Sequence, residues 1–163
     1  MTTVFNADEV FTIGIEIEKN GKKYYDTAAA ITDDEDLKKF FLELAHWENI
    51  HVSTFEKLKS ELKEGGNDET IFDPSNEMHL YLKAAADSHI FRKTLDIEGI
   101  AKSCQNPLDI LKTALQFEKD SVVLYSSMIS MVPENLGKSK VQKMIDEELK
   151  HVSIIQTKIN LLE

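Results

Sequence analysis

One cysteine, three prolines and six glycines are all that this 163-residue chain holds of the residues that staple, break or loosen a backbone. The lone thiol, Cys104, has no internal disulfide partner and cannot build a four-thiolate iron site. So few helix breakers leave room for long uninterrupted helices. No apolar run approaches the roughly 18 residues that cross a bilayer, so no membrane partner is expected. Asp8 and Glu9 stand where a secretory signal would carry Lys or Arg, which predicts a cytoplasmic location. Basic residues are in the minority: 19 Lys and Arg against 29 Asp and Glu give a formal charge of −10, which argues against nucleic acid and anionic membranes as partners.

What remains is an ordinary globular balance, 42% hydrophobic and 29% charged, in a chain long enough for one domain over residues 1–163. The apolar positions repeat at helical spacing. Phe40, Phe41, Leu44, Val52, Phe55, Leu58 and Leu62 form one stripe, and Val141, Met144, Ile145, Val152, Ile155, Ile159 and Leu162 form another. Each stripe is interrupted where a structural helix would place Leu, by Glu48 with His51 and by Glu148 with His151. Buried polar groups cost several kcal/mol unless they are paired, hydrogen-bonded or metal-bound.

These interruptions are in register with two more. Glu18 precedes Glu48 by 30 residues and Glu118 precedes Glu148 by 30, so a shift of 100 superimposes the two halves. Glu18 shares a face with Phe11, Gly14, Ile15, Tyr25 and Ala29, and Glu118 with Leu111, Ala114, Leu115, Val122, Tyr125 and Ile129. Each glutamate is followed by a tyrosine seven residues later, two turns along the same face, which makes Tyr25 and Tyr125 candidates to hydrogen-bond the glutamates. Each also has a small residue four before and three after, Gly14 and Gly21 or Ala114 and Ser121, where room for metal ions is expected.

The midpoints of the two intervals, residues 33 and 133, read as turns. Thr32 with Glu35 resembles a capping box, and Pro133-Glu134-Asn135 a break followed by a first turn. A hairpin bent there brings each glutamate level with its own Glu-x-x-His, about 22 Å from the bend. The expected helices are 7–30, 34–63, 107–131 and 135–162. The pairs 7–63 and 107–162 are joined by a crossover, 64–106, that contains a short helix over 76–91 with Met78, Leu82, Ala85, Ala86 and Ile90 on its apolar face. The fold class is all-α: a ferritin-like four-helix bundle with one long crossover.

One glutamate from each of two helices and Glu-x-x-His from each of the other two is the ligand set of carboxylate-bridged two-metal sites in such bundles. Glu18, Glu48, His51, Glu118, Glu148 and His151 are therefore the predicted metal ligands. Glu48 and Glu148 would bridge, Glu18 and His51 would complete one position, and Glu118 and His151 the other. No Lys or Arg occupies a matching stripe position to pair with the four carboxylates, whereas two divalent ions would offset them. Oxygen ligands with one imidazole per metal suit Fe(II) or Mn(II) better than a thiolate-loving ion. Two iron ions are the expected cofactor, with manganese or zinc as substitutes.

Other polar residues read as structural. Glu16 lies on a different face from Glu18. His46, His79 and His89 lack glutamate partners at useful spacing, Trp47 points to an interface or helix edge, and the acidic run Asp33 to Asp36 is a helix start favoured by the macrodipole.

The strings IEIEKNGKKYYDTA, LAHWENIHVSTF, YLKAAADSHIF, ALQFEKDSVVLY and IDEELKHVSII resemble the diiron domain of rubrerythrin and its shorter ferritin-like relatives, over about residues 8 to 160. The resemblance implies a non-haem diiron centre on the same six residues and reduction of hydrogen peroxide or dioxygen. Two departures stand out. The paired Cys-x-x-Cys motifs of a rubredoxin-like site are missing, so electrons would come from a separate, rubredoxin-like donor. The family's additional glutamate, three residues after the third-helix ligand, is replaced by Ser121. The expected function is thus a diiron oxidoreductase. The alternatives are a ferroxidase or iron-handling protein without peroxidase turnover, and a bundle in which the metal is structural. A homodimer is the expected assembly, and it would count against iron storage, which calls for a large hollow oligomer.

Overall fold

The structure is a computed structural model that describes residues 7–64, 96–132 and 134–163. The short helix expected at 76–91, with His79 and His89, lies outside the described residues. Four long helices carry the fold: α1 (Ala7–Ile31), α2 (Glu35–Glu64), α4 (Pro107–Met128) and α5 (Lys138–Leu162). A short helix, α3 (Ile97–Ser103), precedes α4. The elements among the described residues are all helical, and none is long and apolar enough to cross a membrane.

The hairpins bend where the spacing predicts, but their chemistry differs from expectation. Thr32 does not cap α2; its hydroxyl donates back to the Ala28 carbonyl at 2.7 Å. Asp34 caps instead, its carboxylate accepting from the Leu37 amide at 2.8 Å, because the link 32–34 leaves Asp34 immediately before the first helical residue. At the second bend α4 ends at Met128 and tightens into a 3₁₀ turn, Ile129–Met131. A second such turn, Glu134–Leu136, precedes α5, which starts at Lys138 rather than 135. Gly137 sets that start: its φ of 103° is left-handed, and a Cβ there would run into the Leu58 side chain.

The helix α3 has no counterpart in the sequence expectation, although its signals are ordinary. Asp96 accepts from the Gly99 amide at 2.9 Å, and Ile97 and Ala101 are buried one turn apart. This turn packs on α1. α4 then opens on a stronger signal, Asn106 capping the Asp109 amide with Pro107 in the first turn.

α1 packs along α2, α4 along α5, and α1 also lies beside α4. The buried apolar residues fall into two clusters. One gathers Phe11, Phe55, Leu58, Tyr125 and Met144; the other gathers Tyr24, Phe41, Leu44, Leu111 and Ile155. Between the sequence positions of these clusters, on all four long helices, sit the buried glutamates and histidines. A polar layer thus divides an apolar core, and the core on either side shields it from water.

Candidate metal centre

Glu18 on α1, Glu48 and His51 on α2, Glu118 on α4, and Glu148 and His151 on α5 are all buried, none more than 5% exposed. They form two overlapping groups. Glu18, Glu48, His51 and Glu148 can each offer one ligand atom within 4.8 Å of the others, and so can Glu48, Glu118, Glu148 and His151. Glu48 and Glu148 belong to both. Glu16, the nearest rival in sequence, belongs to neither group and is only half-buried.

Both imidazoles turn Nδ1 inward. His51 Nδ1 lies 3.2 Å from Glu18 Oε2 and 2.7 Å from Glu148 Oε1. His151 Nδ1 lies 3.3 Å from Glu148 Oε2 and 3.6 Å from Glu118 Oε2. The two rings are nearly parallel, their centroids 5.8 Å apart. The tyrosines reach across the bundle: Tyr25 donates its hydroxyl to Glu118 and Tyr125 donates to Glu18.

Crowding four carboxylates into a dry layer distorts their proton affinities. Burial, then the charges of Glu18, Glu148 and Glu118, push Glu48 well above the ordinary carboxyl range. Burial and the Glu148 charge raise Glu118 to about 8. Burial and Glu18 also push Glu148 upward, but Glu118, His151 and His51 beside it outweigh them and hold it below its ordinary value. Burial lowers the histidines, yet the carboxylates beside them win and raise His51 to about 11 and His151 to about 10. Burial, and next the charge of the glutamate each one bonds, push Tyr25 and Tyr125 up, so both stay protonated donors.

The residues fit a pair of metal ions. Among the described residues no lysine or arginine pairs with any of the four glutamates; their charged partners are the two histidines. Glu148 Oε1 approaches His51 Nδ1 off the hydrogen-bonding direction and has no hydrogen-bond partner. A buried carboxylate oxygen left without a donor is costly, and a cation between the oxygens removes that cost. Oxygen donors with one imidazole in each group suit Fe or Mn, and also admit Zn.

The small residues serve different ends than expected. A Cβ on Gly21 would lie 2.6 Å from Glu48 Oε2, so this glycine makes room for a carboxylate of the layer. A Cβ on Gly14 would lie 2.7 Å from the Phe55 ring, so Gly14 serves aromatic packing and not metal ions. Ser121 is buried and, with Asn20, Gly21, Tyr25, Glu48 and Glu118, lines a cavity of about 10 Å³ beside the layer, space for about one water.

Of the remaining sequence candidates, His46 is exposed and stands apart from the layer. Trp47 is partly exposed, as expected of an edge residue, but its ring also lies 6.4 Å from that of His151. One residue was not anticipated. Glu147 Oε2 lies 2.9 Å from His51 Nε2, behind the imidazole. Sequence spacing relates Glu147 to His151 on its own helix, and nothing in the spacing links it to a histidine 96 residues away.

No protein-family model matches the chain, and no curated protein matches it in sequence. Among solved structures it is similar to a Thermotoga maritima protein, crystallised as a candidate ferritin-like diiron-carboxylate protein, with a TM-score of 0.74 over 98% of each chain at 22% identity. At that identity the likeness establishes the fold, which is the all-α, ferritin-like bundle expected from the sequence.

Proposed function

We propose that the chain is a dinuclear non-haem iron protein that reduces hydrogen peroxide or dioxygen with electrons from a separate donor. The carrying observation is the pair of four-residue groups that share Glu48 and Glu148. Two sites sharing two carboxylates would hold two ions close together: Glu48 and Glu148 would serve both, Glu18 and His51 one, and Glu118 and His151 the other. Two bound irons would supply redox chemistry toward small oxidants. The description of the Thermotoga maritima protein as a candidate diiron-carboxylate protein supports the dinuclear iron part of this reading.

The chain's own groups support that chemistry in specific ways. The apolar clusters on either side exclude water from the layer. The Tyr25 and Tyr125 hydroxyls hold Glu118 and Glu18 in fixed orientations. The cavity beside Glu48 and Glu118 has space for about one water, so a larger oxidant would need the site to open slightly. The chain's one cysteine builds no thiolate cluster, so electrons would arrive from another centre, such as a rubredoxin-like protein.

Elemental analysis of anaerobically purified protein should give two irons per chain. Mixing the reduced protein with peroxide should give rapid, stoichiometric oxidation, and sustained turnover once a reduced donor is added. Absence of bound metal would overturn the centre itself. Slow oxidation without turnover would overturn the peroxidase reading and favour iron handling. Ser121 supports that second reading, because rubrerythrins place a further glutamate at the corresponding position.

A further inference from the structure

The two imidazoles match on their inner edges and differ on their outer ones. Behind His51, Glu147 Oε2 lies 2.9 Å from Nε2, with the histidine side chain 1% exposed and the glutamate 35%. Behind His151 the position equivalent by the 100-residue shift is Trp47, whose indole has no acceptor oxygen. Among the described residues His151 has no partner at Nε2. The repeat that builds the layer is therefore broken in the shell around it.

A histidine binds metal through one nitrogen only when the proton sits on the other, and a carboxylate at that other nitrogen holds the proton there and raises the donor strength of the ring. We propose that Glu147 is a positioning residue that fixes His51 with its proton on Nε2 and Nδ1 free for metal, and that it makes the Glu18–His51 position the tighter of the two. The inference rests on the dinuclear reading and adds an order to it: the Glu18–His51 position fills first and empties last. It also gives Glu147 a purpose that helix stability alone does not require. The residue is half-exposed and could make its hydrogen bonds to water, yet it turns toward a buried imidazole on another helix.

The test uses the full chain, stripped with chelator and titrated with Zn(II) against a competing chromophoric chelator. Wild-type protein should bind two zinc ions in two resolved steps. E147A should weaken the first step by roughly ten- to hundredfold while leaving the second within about twofold. In zinc-loaded protein labelled with ¹⁵N-histidine, the His51 Nε2 proton should exchange slowly with water, faster in E147A, and slowly again in E147Q, which keeps an acceptor oxygen. E147Q should recover only part of the affinity because the charge is gone. Equal weakening of both steps, no weakening, or unchanged exchange in E147A would overturn the role of Glu147 and leave the dinuclear centre standing. Failure of the wild-type protein to bind two zinc ions would overturn the centre and this inference with it.

Discussion

The hydroxyl of Tyr25 donates to Glu118 on α4 and not to Glu18, its neighbour two turns back on α1. Tyr125 returns the bond from α4 to Glu18. The two bonds cross-link α1 and α4 through the polar layer, and each fixes a carboxylate with a donor from the opposite hairpin. Removing a donor and leaving its buried acceptor unsatisfied costs about 1–3 kcal/mol. Y25F and Y125F should each lower the urea midpoint of the metal-free protein and weaken metal binding. A midpoint and affinity both equal to wild type would refute the structural importance of the crossed pair.

Glu48 and Glu18 predict different stoichiometries. Glu48 lies in both four-residue groups and Glu18 in one. E18A should leave one metal bound at near-normal affinity, and E48A should loosen both. Metal content after dialysis against weak chelator distinguishes them; equal losses in the two variants would argue against Glu48 as a shared ligand.

Two glycines of α1 predict opposite outcomes from the same substitution. At Gly21 the added Cβ meets the carboxylate end of the Glu48 side chain, and at Gly14 it meets the Phe55 ring inside a packed core. G21A should keep the fold, because Ala gains about 1 kcal/mol of helix propensity, yet weaken metal binding by displacing the carboxylate. G14A should lose about 1–3 kcal/mol from overpacking and bind metal normally. Chemical denaturation and metal titration of both variants check the contrast.

Metal-free protein should become less stable as pH rises. The raised histidines bind their protons more tightly in the fold, so their contribution is complete below 6.5 and is lost as pH climbs toward about 11 for His51 and about 10 for His151. Glu118 acts in the same direction between 4.5 and about 8, because the fold keeps a proton that the unfolded chain releases. Glu148, held below its ordinary value, matters on the acid side, where its contribution is lost as pH falls through its folded value. Metal ions bound at these ligands would displace the protons, so their affinity should rise with pH. The gap in melting temperature between metal-loaded and chelated protein should widen from pH 5 to pH 9. A constant gap would contradict proton displacement by metal.

Six polar interruptions of apolar stripes were legible because helical spacing is a local property: each stripe could be read without its partner. The 100-residue register then aligned the halves, and the bends near 33 and 133 followed from the same symmetry. Less legible were features that depend on one or two atoms. Asp34 rather than Thr32 caps α2, and α5 starts after Gly137 rather than at 135. Both are decided by where the chain must turn to seat its hairpin, and neighbouring residues such as Thr32 carry helix-start signals just as strong.

The amino-acid order alone determined the bundle and the six residues of its polar layer, because burial of apolar stripes forces whatever interrupts them into the same interior. Tertiary structure alone decided which atoms meet across that interior. The crossed tyrosines, the room Gly21 leaves for Glu48, and the carboxylate of Glu147 behind His51 all join side chains on different helices. Contacts of that kind depend on how the helices are rotated and offset against each other, which the packing of all four sets together and no single stripe encodes.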